Sequence, residues 1–251
     1  MCWRKAAPST RSRIFLARTP AFAEVPTRML LSRETALSGR GEVRPARDAL
    51  RRGRRARCGA EDAGTSHLCV IDAGNAVACE DTINTEFGSL VSPEGCGFAS
   101  TTRWTTSRRF RVGRMCLGCA DPDANLPAGK RPLSSMSQLD RARRARGGGV
   151  AGASGGPRII TGTMQALMNA LSGMDAGAAV AEPRVHHQWM PDRLDLEADA
   201  MAGPGQRAAL EALGHTLGER DAVGNVQLIK RVPGGWQAAC DPRKGGRPAG
   251  M

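Results

Sequence analysis

The sequence predicts an α+β chain, and three observations predict it. Leu68–Asp72 and Asn75–Cys79, joined through Ala73-Gly74, read as a β-hairpin. Ile160, Met164, Leu167, Met168 and Leu171 recur at the spacing of one helical face. Val226–Val232 and Trp236–Ala239 flank Pro233-Gly234-Gly235, a turn between two final strands. At 251 residues with 41% hydrophobic content, the chain is long enough to bury a core as one or two domains.

Taken in order, the hairpin puts Thr65 at the start of a strand, and period-2 alternation predicts Thr82 and Asn84 on one strand face. The first long helix should begin just after Gly155-Gly156-Pro157. A second is expected over Pro204–Leu213, with proline near its start and Gly214 just past its end. No internal repeat is found, and no apolar run approaches the roughly 18 residues of a membrane span.

The net charge of +12 invites a nucleic-acid reading, so its distribution matters. Residues 1–57 carry fifteen Lys+Arg against four acids, and residues 99–146 carry eleven against three. Residues 58–98 hold seven acids and no Lys or Arg, while 147–251 balance ten against ten. The excess is concentrated in runs such as Arg51-Arg52-Gly53-Arg54-Arg55 and Arg141–Arg146, which have no helical or strand period. Only Trp104 and Phe110 accompany the second basic region, too few aromatics for a folded base-stacking surface. The expected partners therefore include no nucleic acid and no membrane.

The neutral and acidic parts carry four ordered motifs. They are Gly64-Thr65-Ser66-His67-Leu68-Cys69-Val70-Ile71-Asp72 with Thr82-Ile83-Asn84-Thr85-Glu86-Phe87-Gly88; Lys130-Arg131-Pro132-Leu133-Ser134-Ser135-Met136-Ser137; Gly152-Ala153-Ser154-Gly155-Gly156-Pro157-Arg158-Ile159-Ile160; and Pro183-Arg184-Val185-His186-His187-Gln188-Trp189. Gly224-Asn225-Val226-Gln227 and Ala239-Cys240-Asp241-Pro242-Arg243 follow. Singly each has an ordinary explanation: a Gly-Thr pair opening a strand, a loop serine pair, a Gly-Gly turn. In this order and spacing they resemble the small catalytic chain of the gamma-glutamyltranspeptidase family.

That resemblance implies the N-terminal-nucleophile hydrolase fold, a four-layer αββα sandwich. It implies self-cleavage between Gly64 and Thr65, after which Thr65 is the nucleophile and its own α-amine, of pKa near 8, the base. Glycine before the threonine leaves the carbonyl uncrowded and the backbone free to strain. Thr82 matches the second threonine, which bonds the nucleophile. Asn84 matches a residue that holds the substrate α-amino group, and Ser134 and Ser135 match the pair that binds its carboxylate. Gly155 and Gly156 match the oxyanion-hole glycines, whose amides suit developing negative charge at a helix N-terminus. The implied reaction moves a gamma-glutamyl group from glutathione or a related compound through Thr65 to water, an amino acid or a peptide, with no cofactor. His186 and His187 adjoin and diverge, so no metal is expected there. Cys116-Leu117-Gly118-Cys119 has no second pair, and the eight cysteines do not settle the redox compartment.

Residues 1–64 are expected to hold the end of the family's large chain, near 11–34, and an arginine-rich linker, with the small catalytic chain over 65–251. The first methionine does not look like a natural start, and no secretory signal precedes it, so localisation is left open. Ser100-Thr101-Thr102-Arg103-Trp104-Thr105-Thr106-Ser107-Arg108 stands where the family has Phe-Asn-Asn-Glu-Met-Asp-Asp-Phe-Ser. Written in GC-ending codons and read one base late, that acidic block gives Ser-Thr-Thr-Arg-Trp-Thr-Thr-Ser and the opening of an arginine codon. The stretch near 99–117 is thus expected to be out of frame; a noncatalytic remnant or pseudogene product is the alternative reading, followed by a basic nucleic-acid-binding protein.

Overall fold

The computed structural model describes residues 64–72, 75–84, 87–98, 100–101, 134, 136–140, 148–187, 192–198, 200 and 204–250, together with 28 and 32–34. The arginine-rich runs, the Cys116/Cys119 pair, Ser135 and residues 102–108 of the shifted block lie outside them.

The expected hairpin forms, and its strands are longer than the runs read from the sequence. Strand β1 (Thr65–Ile71) pairs antiparallel with β2 (Ala76–Thr82), in a register that sets Thr65 opposite Thr82 and Ile71 opposite Ala76. Thr65 is buried and His67, Cys69 and Ile71 are half-buried, while Ser66, Leu68 and Val70 are exposed, which is the alternation of a strand buried on one face. That face packs on a four-stranded antiparallel sheet, ordered β3 (Leu139–Asp140), β4 (Gly149–Ser154), β8 (Asn225–Val232) and β9 (Gly235–Cys240).

Strand β4 reads Gly-Val-Ala-Gly-Ala-Ser and lies between two layers, so its residues show no polar alternation. Ala151 and Ala153 enter the core beneath the helices, whereas Gly152 lies under the His67 ring of the hairpin. Helix α1 (Arg158–Leu171) packs on β4 and β8, and α2 (Ala176–Ala181), capped by Asp175 Oδ1 accepting from Ala178 N–H, packs on β8 and β9. The core joins Ala151, Ala153, Ile159, Ala166, Ala170, Ala176, Ala179, Val180, Val226 and Leu228. Each buried Val, Ile or Leu there contributes about 1.5–3 kcal/mol. Two sheets and one helical layer, three layers of the expected sandwich, are thus in view.

The face of α1 differs from the reading of its sequence. Ile160, Met168 and Leu171 are exposed, and Arg158, Ile159, Gly162, Thr163, Ala166 and Ala170 are buried instead. Close approach decides this: a Cβ on Gly162 would stand 2.8 Å from the Val223 carbonyl, so the helix meets the sheet through its small residues.

The remaining elements form a three-stranded sheet unmarked in the sequence, β5 (Val185–His186), β6 (Leu194–Glu197) and β7 (Leu217–Arg220), in which β6 and β7 are parallel. Helix α3 (Pro204–Ala212) connects β6 to β7, and Gly214 follows it at φ +82° as its C-terminal pattern required. A buried set of four charges joins this sheet to the chain's end. The Arg184 guanidinium lies 2.6 Å from Asp241, and Arg243 bonds Asp241 at 3.1 Å and Glu197 at 2.5 Å. Asp241 also accepts from Val226 N–H at 2.8 Å, and Glu197 from Val223 N–H at 2.6 Å, which satisfies both carboxylates.

Candidate active site

The hairpin register brings the two threonine hydroxyls together at 2.8 Å. Thr82 Oγ1 also donates to the Gly64 carbonyl at 3.0 Å and accepts from Asn84 N–H at 2.9 Å. A hydroxyl has one proton. If Thr82 gives it to Gly64, the bond between the threonines must run from Thr65 to Thr82, leaving the Thr65 lone pairs free on the side of its own preceding carbonyl. The Gly64 oxygen accepts a second bond, from Ile83 N–H at 2.9 Å. Gly64 itself is at φ +85°, a conformation glycine reaches without a Cβ clash.

This arrangement can carry an acyl shift with balanced protons. Thr65 Oγ1 adds to the Gly64 carbonyl carbon while its proton passes to Thr82 Oγ1, and the Thr82 proton passes to the Gly64 oxygen. The Ile83 amide stabilises the charge developing on that oxygen. Collapse of the adduct returns the proton on the Gly64 oxygen to the Thr65 nitrogen as the Gly64–Thr65 C–N bond breaks, which frees the Thr65 α-amine and leaves an ester on Oγ1; hydrolysis of that ester releases the Gly64 carboxylate and the Thr65 hydroxyl.

Asn84 departs from expectation. Strand β2 ends at Thr82, and Asn84 lies in a bend at φ +78°, so it does not continue the Thr82 face by alternation. Asparagine tolerates this left-handed conformation better than most side chains. Ser134 is exposed, and its hydroxyl accepts locally from Met136 N–H at 3.1 Å.

Gly155, at φ +127°, and Gly156, at φ +58°, form the turn between β4 and α1, with Pro157 at the helix N-cap. Their carbonyls accept from Arg158 N–H and Ile159 N–H at 3.2 Å, so they are spent on the first helical turn. The turn stands close to Thr65 through a residue that the sequence did not single out. Lys244 Nζ donates to the Thr65 carbonyl at 2.7 Å and to Ser154 Oγ, the residue before Gly155, at 3.2 Å.

Beneath Thr65 on the inner hairpin face is a second polar group. His67 Nε2 lies 3.1 Å from Cys69 Sγ, and His67 Nδ1 lies 3.5 Å from Glu80 Oε1, with both side chains of the His–Glu pair enclosed. Glu80 in turn accepts from Ala153 N–H at 3.2 Å. Burial, with Cys240 and Glu80 nearby, pushes the Cys69 thiol up to about 12, so it stays protonated and is no nucleophile. His186 is buried with Nδ1 2.7 Å from Thr161 Oγ1, whereas His187 turns to Asp192 at 3.3 Å. Among the described residues no group of three His, Cys, Asp or Glu could hold a metal ion.

Comparison with known proteins bears on this geometry. The family model described as gamma-glutamyltranspeptidase matches residues 5–251. The chain is 36% identical over 184 residues to the glutathione hydrolase proenzyme of Escherichia coli, covering 71% of this chain and 31% of that protein. It is 33% identical over 237 residues to the glutathione hydrolase proenzyme of Pseudomonas aeruginosa, covering 92% of this chain and 42% of that one. The fold is similar to the solved gamma-glutamyltranspeptidase of Helicobacter pylori, with TM-score 0.64 and 34% identity over 71% of this chain and 99% of the solved chain. The chain therefore spans about a third to two fifths of the length of these curated relatives.

Proposed function

We propose, for a chain that belongs to the gamma-glutamyltranspeptidase family, that Thr65 is the nucleophile of gamma-glutamyl transfer, freed by a cut at Gly64–Thr65. The paired threonine hydroxyls on a doubly bonded Gly64 carbonyl carry the proposal. Once freed, the Thr65 α-amine takes the hydroxyl proton and Oγ1 attacks the gamma-carbonyl of glutathione or a related gamma-glutamyl compound. The amides of Gly155 and Gly156 receive the oxyanion, and the leaving amine departs with a proton. Water, an amino acid or a peptide amine then opens the glutamyl ester and regenerates Thr65.

Asn84, Ser134 and Ser135 are assigned to the α-amino and carboxylate ends of the glutamyl group, and a large chain of the family is the proposed partner that completes the site. The acidic block expected at Ser100–Arg108 is part of the same recognition. Each lost bond to a charged substrate group costs about 1.5–3 kcal/mol, so two such losses slow turnover by about two to four orders of magnitude.

The test compares release of a chromogenic amine from a gamma-glutamyl anilide by three proteins: the chain as it stands, the chain with the in-frame acidic block and a supplied large chain, and that second protein carrying Thr65→Ala. Strong turnover is expected in the second alone. Equal strong turnover in all three would refute both the nucleophile and the reading-frame argument.

A further inference from the structure

We infer that Lys244 is a positioning and electrostatic residue for Thr65: its ammonium clamps the nucleophile strand to the glycine turn and shifts the freed Thr65 α-amine toward its unprotonated, basic form. The inference rests on the proposed role of Thr65 as an N-terminal nucleophile. It adds a residue that is distant in sequence and belongs to none of the four motifs.

The contact is built, not incidental. The Lys244 ammonium reaches across 179 positions to the Thr65 carbonyl at 2.7 Å and meets buried Ser154 at 3.2 Å. Its backbone is pinned: Lys244 N–H donates to the Asp241 carbonyl at 3.3 Å, and Arg243 N–H to Asp241 Oδ1 at 3.0 Å. Asp241 is fully buried within the four-charge network, so the turn that carries Lys244 is anchored in the most enclosed polar group of the chain. Composition points the same way. The chain has only four lysines against thirty-two arginines, and a compact ammonium, unlike a planar guanidinium, places a point charge on one carbonyl oxygen.

The charge at this place acts on Thr65. A freed α-amine belongs to the residue whose carbonyl the Lys244 ammonium bonds at 2.7 Å, so the two ammonium groups would stand close together. Two like charges at that distance disfavour each other, by an amount between the limits of water and of a partly screened protein surface. A depression below the ordinary value near 8 follows, weakened by solvent because Lys244 is an exposed residue. A larger share of the amine is then free base at neutral pH, the form that can take the Thr65 hydroxyl proton.

Among the described residues, the other charges around Thr65 have partners or face away from it. On the hairpin, His67 and Glu80 pair with each other, and Asp81 sits opposite Ser66 on the exposed face. At the head of α1, the Arg158 side chain is buried and lies 3.5 Å from the Gly155 carbonyl. At the chain's end, Asp241 and Arg243 are tied to Arg184 and Glu197. Lys244 is the charged group that bonds Thr65 itself.

The test needs no turnover. Residues 61–64 are replaced by a specific protease site and the full chain is cut there, so that both pieces remain and Thr65 is N-terminal. Its α-amine is titrated by trace acetylation with isotopically labelled acetic anhydride over a pH series, reading the Thr65 peptide by mass. The unmutated protein should titrate below 8, with the shift shrinking as salt is raised. Lys244→Met should restore a midpoint near 8, and Lys244→Arg should keep most of the shift. An ordinary, salt-independent midpoint in the unmutated protein overturns the inference, as does a Lys244→Met midpoint that stays low. The unmutated measurement decides even if a variant fails to fold. Loss of anilide turnover beside a lowered midpoint would instead count against the function proposed for Thr65.

Discussion

Replacing Gly152 by alanine should loosen the nucleophile strand, because no room exists for one added methyl group. A Cβ built at Gly152 would stand 2.1 Å from His67 Cε1, 2.5 Å from Nδ1 and 2.6 Å from Nε2, so the whole ring edge is in the way. The ring cannot swing freely, since Cys69 lies 3.1 Å from one nitrogen and enclosed Glu80 3.5 Å from the other. Either β1 lifts from β4 or the His67–Glu80 pair separates. Overpacking of this kind costs about 1–3 kcal/mol, which lowers the melting temperature by roughly 2–12 °C for a domain of this size. His67 is two residues from Thr65, so lifting β1 also disturbs the 2.8 Å hydroxyl pair and slows the cut at Gly64–Thr65. The assay is thermal unfolding of four proteins: unmutated, Gly152→Ala, His67→Ala and the double variant. With the ring gone, the new methyl group has space, so the double variant should be more stable than the sum of the single effects by about 1–2 kcal/mol. Unchanged stability in Gly152→Ala, or strictly additive effects, would refute the packing argument.

Other consequences are open to measurement. Asp241→Asn leaves the buried Arg184 and half-buried Arg243 guanidinium groups without their shared carboxylate and should cost about 3–5 kcal/mol, read by denaturant unfolding against the milder exposed-pair variant Glu219→Gln. Cys69, held protonated by burial, should resist alkylation at pH 8 while exposed Cys79 and Cys96 react, as site-resolved mass spectrometry would report; equal rates at all three would contradict the burial. Burial alone would raise the Asp195 carboxyl, but bonds from Arg193 and Arg220 outweigh it and hold its pKa below the ordinary 3.8. Its folded pKa being depressed, its stabilisation is present above 3.8 and lost as pH falls through the lower folded value. Acid unfolding of the β5–β7 sheet should accordingly begin at higher pH in Asp195→Asn, and an unchanged acid midpoint would count against it. Thr82→Val removes the proton relay together with the hydroxyl's bonds to Thr65, Gly64 and Asn84, and should slow Gly64–Thr65 cleavage and also lower the melting temperature; cleavage at the unmutated rate would exclude the relay.

What could be read in advance follows from which interactions are local. The β1–β2 hairpin and the β8–β9 pair were legible because alternation and turn residues act within a few positions. The start of α1 was legible from Gly155-Gly156-Pro157, but its buried face was not: Ile160, Met168 and Leu171 mark a helix without saying which side meets the sheet, and Gly162, Thr163 and Ala166 win that side by being small. Strand β4 escaped notice because both its faces are covered and Gly-Val-Ala-Gly-Ala-Ser has no period. Asn84 was misplaced because alternation was carried past the end of β2, where the chain turns to positive φ. Thr65, Thr82 and the glycine pair were singled out through motif order, whereas Lys244 and the Ile83 amide depend on folding and leave only a faint trace in the sequence, a lysine in an arginine-rich chain.

Hydroxylamine trapping addresses the nucleophile directly. Hydroxylamine intercepts an ester at the Gly64–Thr65 junction even when its hydrolysis is slow, so the full chain is incubated with and without it and its fragments are sequenced from their N-termini. The expected product is a fragment running from Thr65 to Met251, more abundant with hydroxylamine and absent from Thr65→Ala. Cleavage at another bond, cleavage that survives Thr65→Ala, or no fragment at all after prolonged trapping would contradict Thr65 as the self-activating nucleophile.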